Sequence, residues 1–335
     1  MVAYVPLLLA LAGLIAGPAA AESGTNAFRR GDYAAAVASF EAAAERGDRA
    51  AQNNLGVMYL RGHGVTVDHA RARSLFEAAA AQQLPGAMFN LGIMHLRGYG
   101  MPADRPRAAR WFAASADLGD REAQFFLALM HYKGDGVAQD RQRARELFRA
   151  AAANGLAAAQ FNLALLYLNG QDGPVDEATA LEWLQAAARQ GHQQARLSIA
   201  RIHLAHADDP TRAERAATIL RELADSGDAE AQMQFGLLHT FGRGVPHNPE
   251  EGRFWLRQSA LQGWTPAQLN LGAIYAEGIG TTADLVQAYA WLSLAAEQDA
   301  AAGTALAAIA ARIDAEQRAQ AELMAADLRS KRATP

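Results

Sequence analysis

Five residues of this chain keep coming back. LGVMY at 55–59 returns as LGIMH at 91–95, LALMH at 127–131, LALLY at 163–167, IARIH at 199–203, FGLLH at 235–239 and LGAIY at 271–275. The step is 36 residues each time, with no insertion or deletion. A fixed step of this size means one supersecondary unit stacked many times, each copy burying its apolar face only against its neighbours.

Other columns keep the same step. Leu75, Trp111, Leu147, Trp183, Ile219, Trp255 and Trp291 form one, each followed four residues later by a small or apolar pair such as Ala79-Ala80. Asp68, Asp104, Asp140, Asp176 and Asp284 form another, interrupted by Arg212 and Asn248, and Gly119, Gly155, Gly191, Gly227 and Gly263 a third. Apolar residues recur at helical spacing on both sides of the Gly62/Gly64 break, so each unit reads as helix A, a loop and helix B. In the first unit helix A covers about 49–61 and helix B about 68–82. The aspartate is placed to accept the free N–H groups of the first turn of helix B, and the closing glycine suits its left-handed end. Trp or Leu in the first column is expected to fill the space between repeats.

Composition agrees with this reading. Hydrophobic residues make up 51% of the 335, much of that alanine, and only 7% are aromatic. Alanine is the best helix former and lets helices approach closely, so the fold is all-α, a superhelical solenoid. The net charge of −4, with both signs interspersed, gives no long-range attraction for nucleic acid or an anionic membrane. The chain has no cysteine, which excludes disulfides, thiolate zinc sites and thiol nucleophiles.

The first residues, MVAYVPLLLALAGLIAGPAAAES, read as a secretory signal peptide over 1–21, cleaved after Ala21, although no Lys or Arg precedes the apolar run. Such a segment is too short to span a bilayer. Projecting the repeat backwards puts Asp32, Ala36, Ala43, Ala44 and Gly47 in helix B columns. Residues 22–48 are therefore an N-terminal partial repeat, a second helix preceded by a stub of a first. Seven repeats fill 49–299, and 300–335 form capping helices and a tail, with Asp314 and Gln317 as a capping box. The fifth unit reads HLAHADDPTR where the others carry a glycine pair, which predicts a local kink or a shortened turn there.

Leu55, Gly56, Tyr59, Gly62, Gly64, Val65, Asp68, Ala72, Leu75, Ala79 and Ala80 together resemble the Sel-one-like repeat family, a relative of tetratricopeptide repeats. Leu271, Gly272, Tyr275, Gly278, Gly280, Asp284, Ala288, Trp291 and Ala295 carry the same pattern in the last unit. The resemblance implies a right-handed α/α superhelical solenoid that serves as a protein–protein interaction scaffold, often in envelope signalling, secretion or virulence, and no catalytic motif. Some extracytoplasmic members hold a partner inactive. A few cysteine-rich members are linked to penicillin binding or hydrolysis, an analogy that the lack of cysteine undercuts here.

In the tetratricopeptide relatives a concave wall is lined by helix A. Carrying those offsets over selects Asn53, Leu60, Arg61, Phe89, Arg97, Phe125, Tyr132, Lys133 and Phe161. On one reading Phe89, Phe125 and Phe161 form an aromatic row flanked by a basic row of Arg61, Arg97 and Lys133, fit for a peptide with acidic and apolar side chains. On the other, the phenylalanines are inter-repeat core and the basic residues solvated helix ends. Asn54, Asn90, Asn162 and Asn270 share a column that could clamp a peptide backbone or hydrogen-bond neighbouring helices. His95, His131, His203 and His239 stand in the tyrosine column, one per repeat, too far apart to share a metal. His203 and His206, near Asp208 and Asp209, are the residues nearest to a zinc pattern. No G-x-S-x-G, G-x-x-x-x-G-K-[ST] or H-E-x-x-H motif is present, so the chain reads as non-enzymatic, with no cofactor, metal or catalytic residue. The expected product is a monomeric periplasmic or secreted scaffold with a protein or peptide partner, not membrane-spanning once cleaved. A peptidoglycan-associated cell-wall factor and a secreted host-interacting effector are the alternatives.

Overall fold

The structure is a computed structural model that describes residues 19–170 and 174–331. Residues 1–18 of the expected leader lie outside the described residues. Among the described residues there are eighteen α-helices and no strand. The chain forms two compact units, one ending at His192 and one beginning at Gln193.

In the first unit the helices are α1 (Ala19–Arg29), α2 (Tyr33–Glu45), α3 (Arg49–Arg61), α4 (His69–Ala81), α5 (Pro85–Arg97), α6 (Arg105–Asp117), α7 (Arg121–Lys133), α8 (Arg141–Ala153), α9 (Ala157–Asn169) and α10 (Glu177–Arg189). The second holds α11 (Gln193–Ala205), α12 (Pro210–Asp225), α13 (Ala229–Phe241), α14 (Pro249–Leu261), α15 (Thr265–Glu277), α16 (Leu285–Ala295), α17 (Ala300–Ala310) and α18 (Ala315–Ser330). Within each unit these are stacked A–B hairpins, the α/α solenoid architecture that the 36-residue step requires.

The Trp/Leu column packs in or against the core as expected, but the neighbouring column forms its centre. Phe40, Phe76, Phe112, Phe148, Leu184, Leu220 and Leu256 are completely buried, one in each successive helix B. In the preceding Trp/Leu column Trp111, Trp183 and Trp255 sit at the lip, only half-buried, whereas Leu147 and Trp291 are buried. The reason is geometric. Adjacent residues of a helix point about 100° apart, so only one of the two can aim at helix A. There it meets a glycine: a Cβ on Gly56 would stand 2.7 Å from the Phe76 ring, and one on Gly92 2.5 Å from Phe112. At these two positions the close approach of the ring leaves no room for a Cβ.

Both glycines of the loop serve the stack. Gly62, Gly98, Gly134, Gly242 and Gly278 end helix A in the left-handed conformation. The second glycine packs on the first residue of the preceding helix B: a Cβ on Gly136 would lie 2.6 Å from the Arg105 backbone. The aspartate column then closes the hairpin twice over. Asp104 donates its N–H to the His95 carbonyl at 2.8 Å, while its carboxylate accepts from the Arg107 N–H at 2.8 Å.

The two irregular repeats share a shortened loop, by four residues at the N-terminus and by three in the fifth unit. At the N-terminus Gly24 faces the Phe40 ring as Gly56 faces Phe76, but 16 residues before it rather than 20. Helix α1 is thus a docked first helix, and it starts at Ala19, within the expected leader. In the fifth unit the shortened turn predicted from HLAHADDPTR is present. Helix α12 starts at Pro210, and its cap is Asp209, accepting from the Thr211 and Arg212 N–H groups at 2.8 and 3.4 Å. At the C-terminal end Asp314 and Gln317 form the capping box of α18, which folds back onto α16.

Candidate functional site

The structure divides the nine residues expected to line a groove into core and surface. Asn53, Leu60, Phe89, Phe125 and Phe161 are all buried. The Phe89 ring lies 5.4 Å from Phe126 and 5.6 Å from Phe112, Phe125 lies 5.7 Å from Phe148, and Phe161 stacks on His192 at 4.7 Å. The aromatic row is inter-helix packing, because helix A is enclosed between neighbours on nearly every side. Tyr132 is half-buried. Arg61, Arg97 and Lys133 are exposed, each the last residue of its helix A, where a cation also complements the negative end of the helix dipole.

Buried polar columns hold helices together. Asn90 Nδ2 donates to Asn53 Oδ1 at 2.9 Å, and Asn53 Nδ2 to Asn54 Oδ1 at 3.3 Å, linking α5 to α3. Asn162 and Asn270 donate back to the carbonyls of Ala158 and Pro266, both at 2.8 Å. A glutamine column that the sequence reading passed over does more. Gln160, Gln232 and Gln268 each donate to the carbonyl eight residues earlier, at 3.0–3.1 Å, tying helix A to the end of the preceding helix B through a carbonyl that also accepts from the closing glycine N–H. Its signal was a polar residue at constant register within an otherwise apolar helix.

The tyrosine column leads to an open cleft. Tyr59 donates its hydroxyl to Glu41 at 3.1 Å under the Arg71 guanidinium, so this column looks out between successive B helices. One repeat later His95 takes that place, 8% exposed. It forms the inner wall of a cavity of about 750 Å³ between α4 and α6, edged by Arg73, Glu77, Asp104, Arg107 and Trp111. The volume lies within the range of small-ligand and side-chain pockets. Burial, and after it the nearby Arg107, push the His95 imidazole below its ordinary value, so it is neutral at pH 7. Arg107 pairs with Asp104 at 3.1 Å and Arg73 with Glu77 at 3.6 Å. His203 is buried, and Asp209 is committed to capping α12. Among the described residues no group of three or more His, Asp or Glu is arranged to hold a metal.

This combination of a 36-residue hairpin, paired loop glycines and an aspartate cap matches the Sel1 repeat over residues 49–84, 85–120, 121–156, 157–192, 229–264 and 265–299. The chain belongs to the Sel1 repeat family. The unmatched stretch between the fourth and fifth segments is the hairpin with the short loop and shifted cap. Among solved structures, c5321, a protective antigen present in uropathogenic Escherichia coli strains and displaying an SLR fold, is 30% identical with a TM-score of 0.56. That match covers 94% of this chain and 76% of the antigen. A Sel1 repeat protein from Oxalobacter formigenes is 27% identical with a TM-score of 0.50, over 83% of this chain and 100% of its own. No curated protein matches. Sel1 repeats generally mediate protein–protein interactions and are generally non-catalytic. Among the described residues no helix is long and apolar enough to cross a membrane.

Proposed function

We propose that this chain is a non-enzymatic scaffold of the bacterial envelope, exported by its leader, that binds a protein partner and regulates a signalling or secretion system through it. The observation that carries the reading is the exposed row Arg61, Arg97 and Lys133 at the ends of three successive A helices, with Tyr132 beside it. A basic row of fixed period suits an acidic segment laid across several repeats. Cleavage after Ala21 is compatible with the fold, because it leaves Gly24 and the buried Ala27, through which α1 docks. The likeness to a protective antigen of uropathogenic Escherichia coli supports an extracytoplasmic location.

The test is chemical cross-linking of the tagged chain in its native envelope, compared with Arg61→Glu/Arg97→Glu/Lys133→Glu. One defined protein should be captured by the wild type and lost in the variant. Equal capture by both would overturn the basic row, and sedimentation with purified sacculi in place of a protein adduct would overturn the partner.

A further inference from the structure

We propose that the cleft between α4 and α6 is a second docking site, and that its occupant is an amphipathic helix of a partner carrying a carboxylate between two apolar side chains. The chain itself shows how such a helix sits. Arg257, Tyr275, Gln287 and Trp291 stand five repeats on from Glu77, His95, Arg107 and Trp111, and they line the corresponding cleft between α14 and α16. There the cleft is filled by α18, which contributes Met324, Asp327 and Leu328. Met324 and Leu328 are four residues apart, one turn of helix, with Asp327 between them.

The consequence of that filling is measurable. About 190 Å³ remains beneath α18, against about 750 Å³ at the open cleft. Trp291 is 2% exposed under α18, whereas Trp111 stays half-open at the lip. The same apolar lip is thus covered in one place and uncovered in the other.

Charge selects the occupant. The open cleft carries Arg73, Arg107 and Arg110 against Glu77 and Asp104, and His95 is neutral. Two guanidinium groups are matched by the two carboxylates, which leaves one positive charge in excess at a partly desolvated site. An acidic side chain flanked by apolar ones neutralises it while covering Trp111. At the filled cleft Gln287 stands at the position of Arg107 and Arg257 at that of Glu77, so each cleft offers a cation to the carboxylate, from α6 at the open site and from α14 at the filled one.

A fluorescent peptide of residues 315–331, the α18 segment, is the probe, titrated into the full chain and followed by anisotropy. The covalently attached α18 has a high effective concentration at its own cleft, so the added peptide reports on the open one. Saturable binding is expected, at least tenfold weaker with Arg110→Glu in the chain and with Asp327→Asn in the peptide. Arg110 is exposed, so its charge reversal should leave the thermal midpoint in place, and Arg110→Ala gives a second variant that only removes the charge. Absence of saturable binding, or binding indifferent to Arg110→Glu and Arg110→Ala, would overturn the proposal. So would concentration-dependent dimerisation suppressed by Arg110→Glu, which would assign the cleft to α18 of a second copy.

Discussion

At Gln83 the chain departs from its own rule. The residue closing helix B is glycine at Gly47, Gly119 and Gly155, all left-handed, yet in the first full repeat Gln83 holds φ 56°. A side chain in that region costs about 1–2 kcal/mol, part of which glycine returns through the entropy of the unfolded chain. Gln83→Gly should therefore stabilise the protein by about 0.5–1 kcal/mol in urea titration. Gly136→Ala should act oppositely and more strongly, by about 2 kcal/mol or more, because it adds a collision with the Arg105 backbone to the same conformational cost. Histidine sets the pH response at this scale. His95 and His192 are both held below the ordinary imidazole value, chiefly by burial. The unfolded chain then takes up protons first as the pH falls, so their contribution is complete above about pH 6.5 and is lost below it. The thermal midpoint should drop between pH 7.5 and 5.5, and by less in His95→Tyr, which installs the residue used at Tyr59, Tyr167 and Tyr275.

Among the elements, the fifth hairpin is the informative one. Its cap has moved three residues upstream, from the register position of Arg212 to Asp209. Asp209→Ala should cost about 1 kcal/mol, as loss of an N-cap does elsewhere, while Arg212→Ala should change stability by less than about 0.5 kcal/mol. Equal effects in denaturation would contradict the shifted cap. This hairpin also marks the boundary of what could be read from the chain. Period, hairpin order, cap and loop glycines follow from local residue chemistry, which the sequence displays directly. Which of two neighbouring apolar columns points inwards does not, because Phe112 and Trp111 differ only by one step around the helix. For the same reason Phe89, Phe125 and Phe161 could be read as anchors or as core, and only packing decides for core. The cleft at His95 was hidden for another reason: its walls come from α4, α5 and α6, and each contributes residues that look like ordinary solvated arginines or column members.

Across the whole molecule, most of helix A is spent on holding the stack together, and what remains for a partner is the helix ends and the B-helix side. The chain already uses one B-side cleft for its own C-terminal helix. A solenoid of this kind offers many similar positions, and small differences between repeats, such as Arg107 against Gln287, give each a separate preference. The claim that a protein partner meets the exposed residues and not the helix A interior is tested most directly by site-specific photo-cross-linking in the native envelope. A photoreactive residue placed at Arg97, and in a second strain at Arg110, should each yield a discrete protein adduct, whereas one at exposed Leu323 on α18 should not. Adducts of equal yield at all three positions, or at none, would contradict the account.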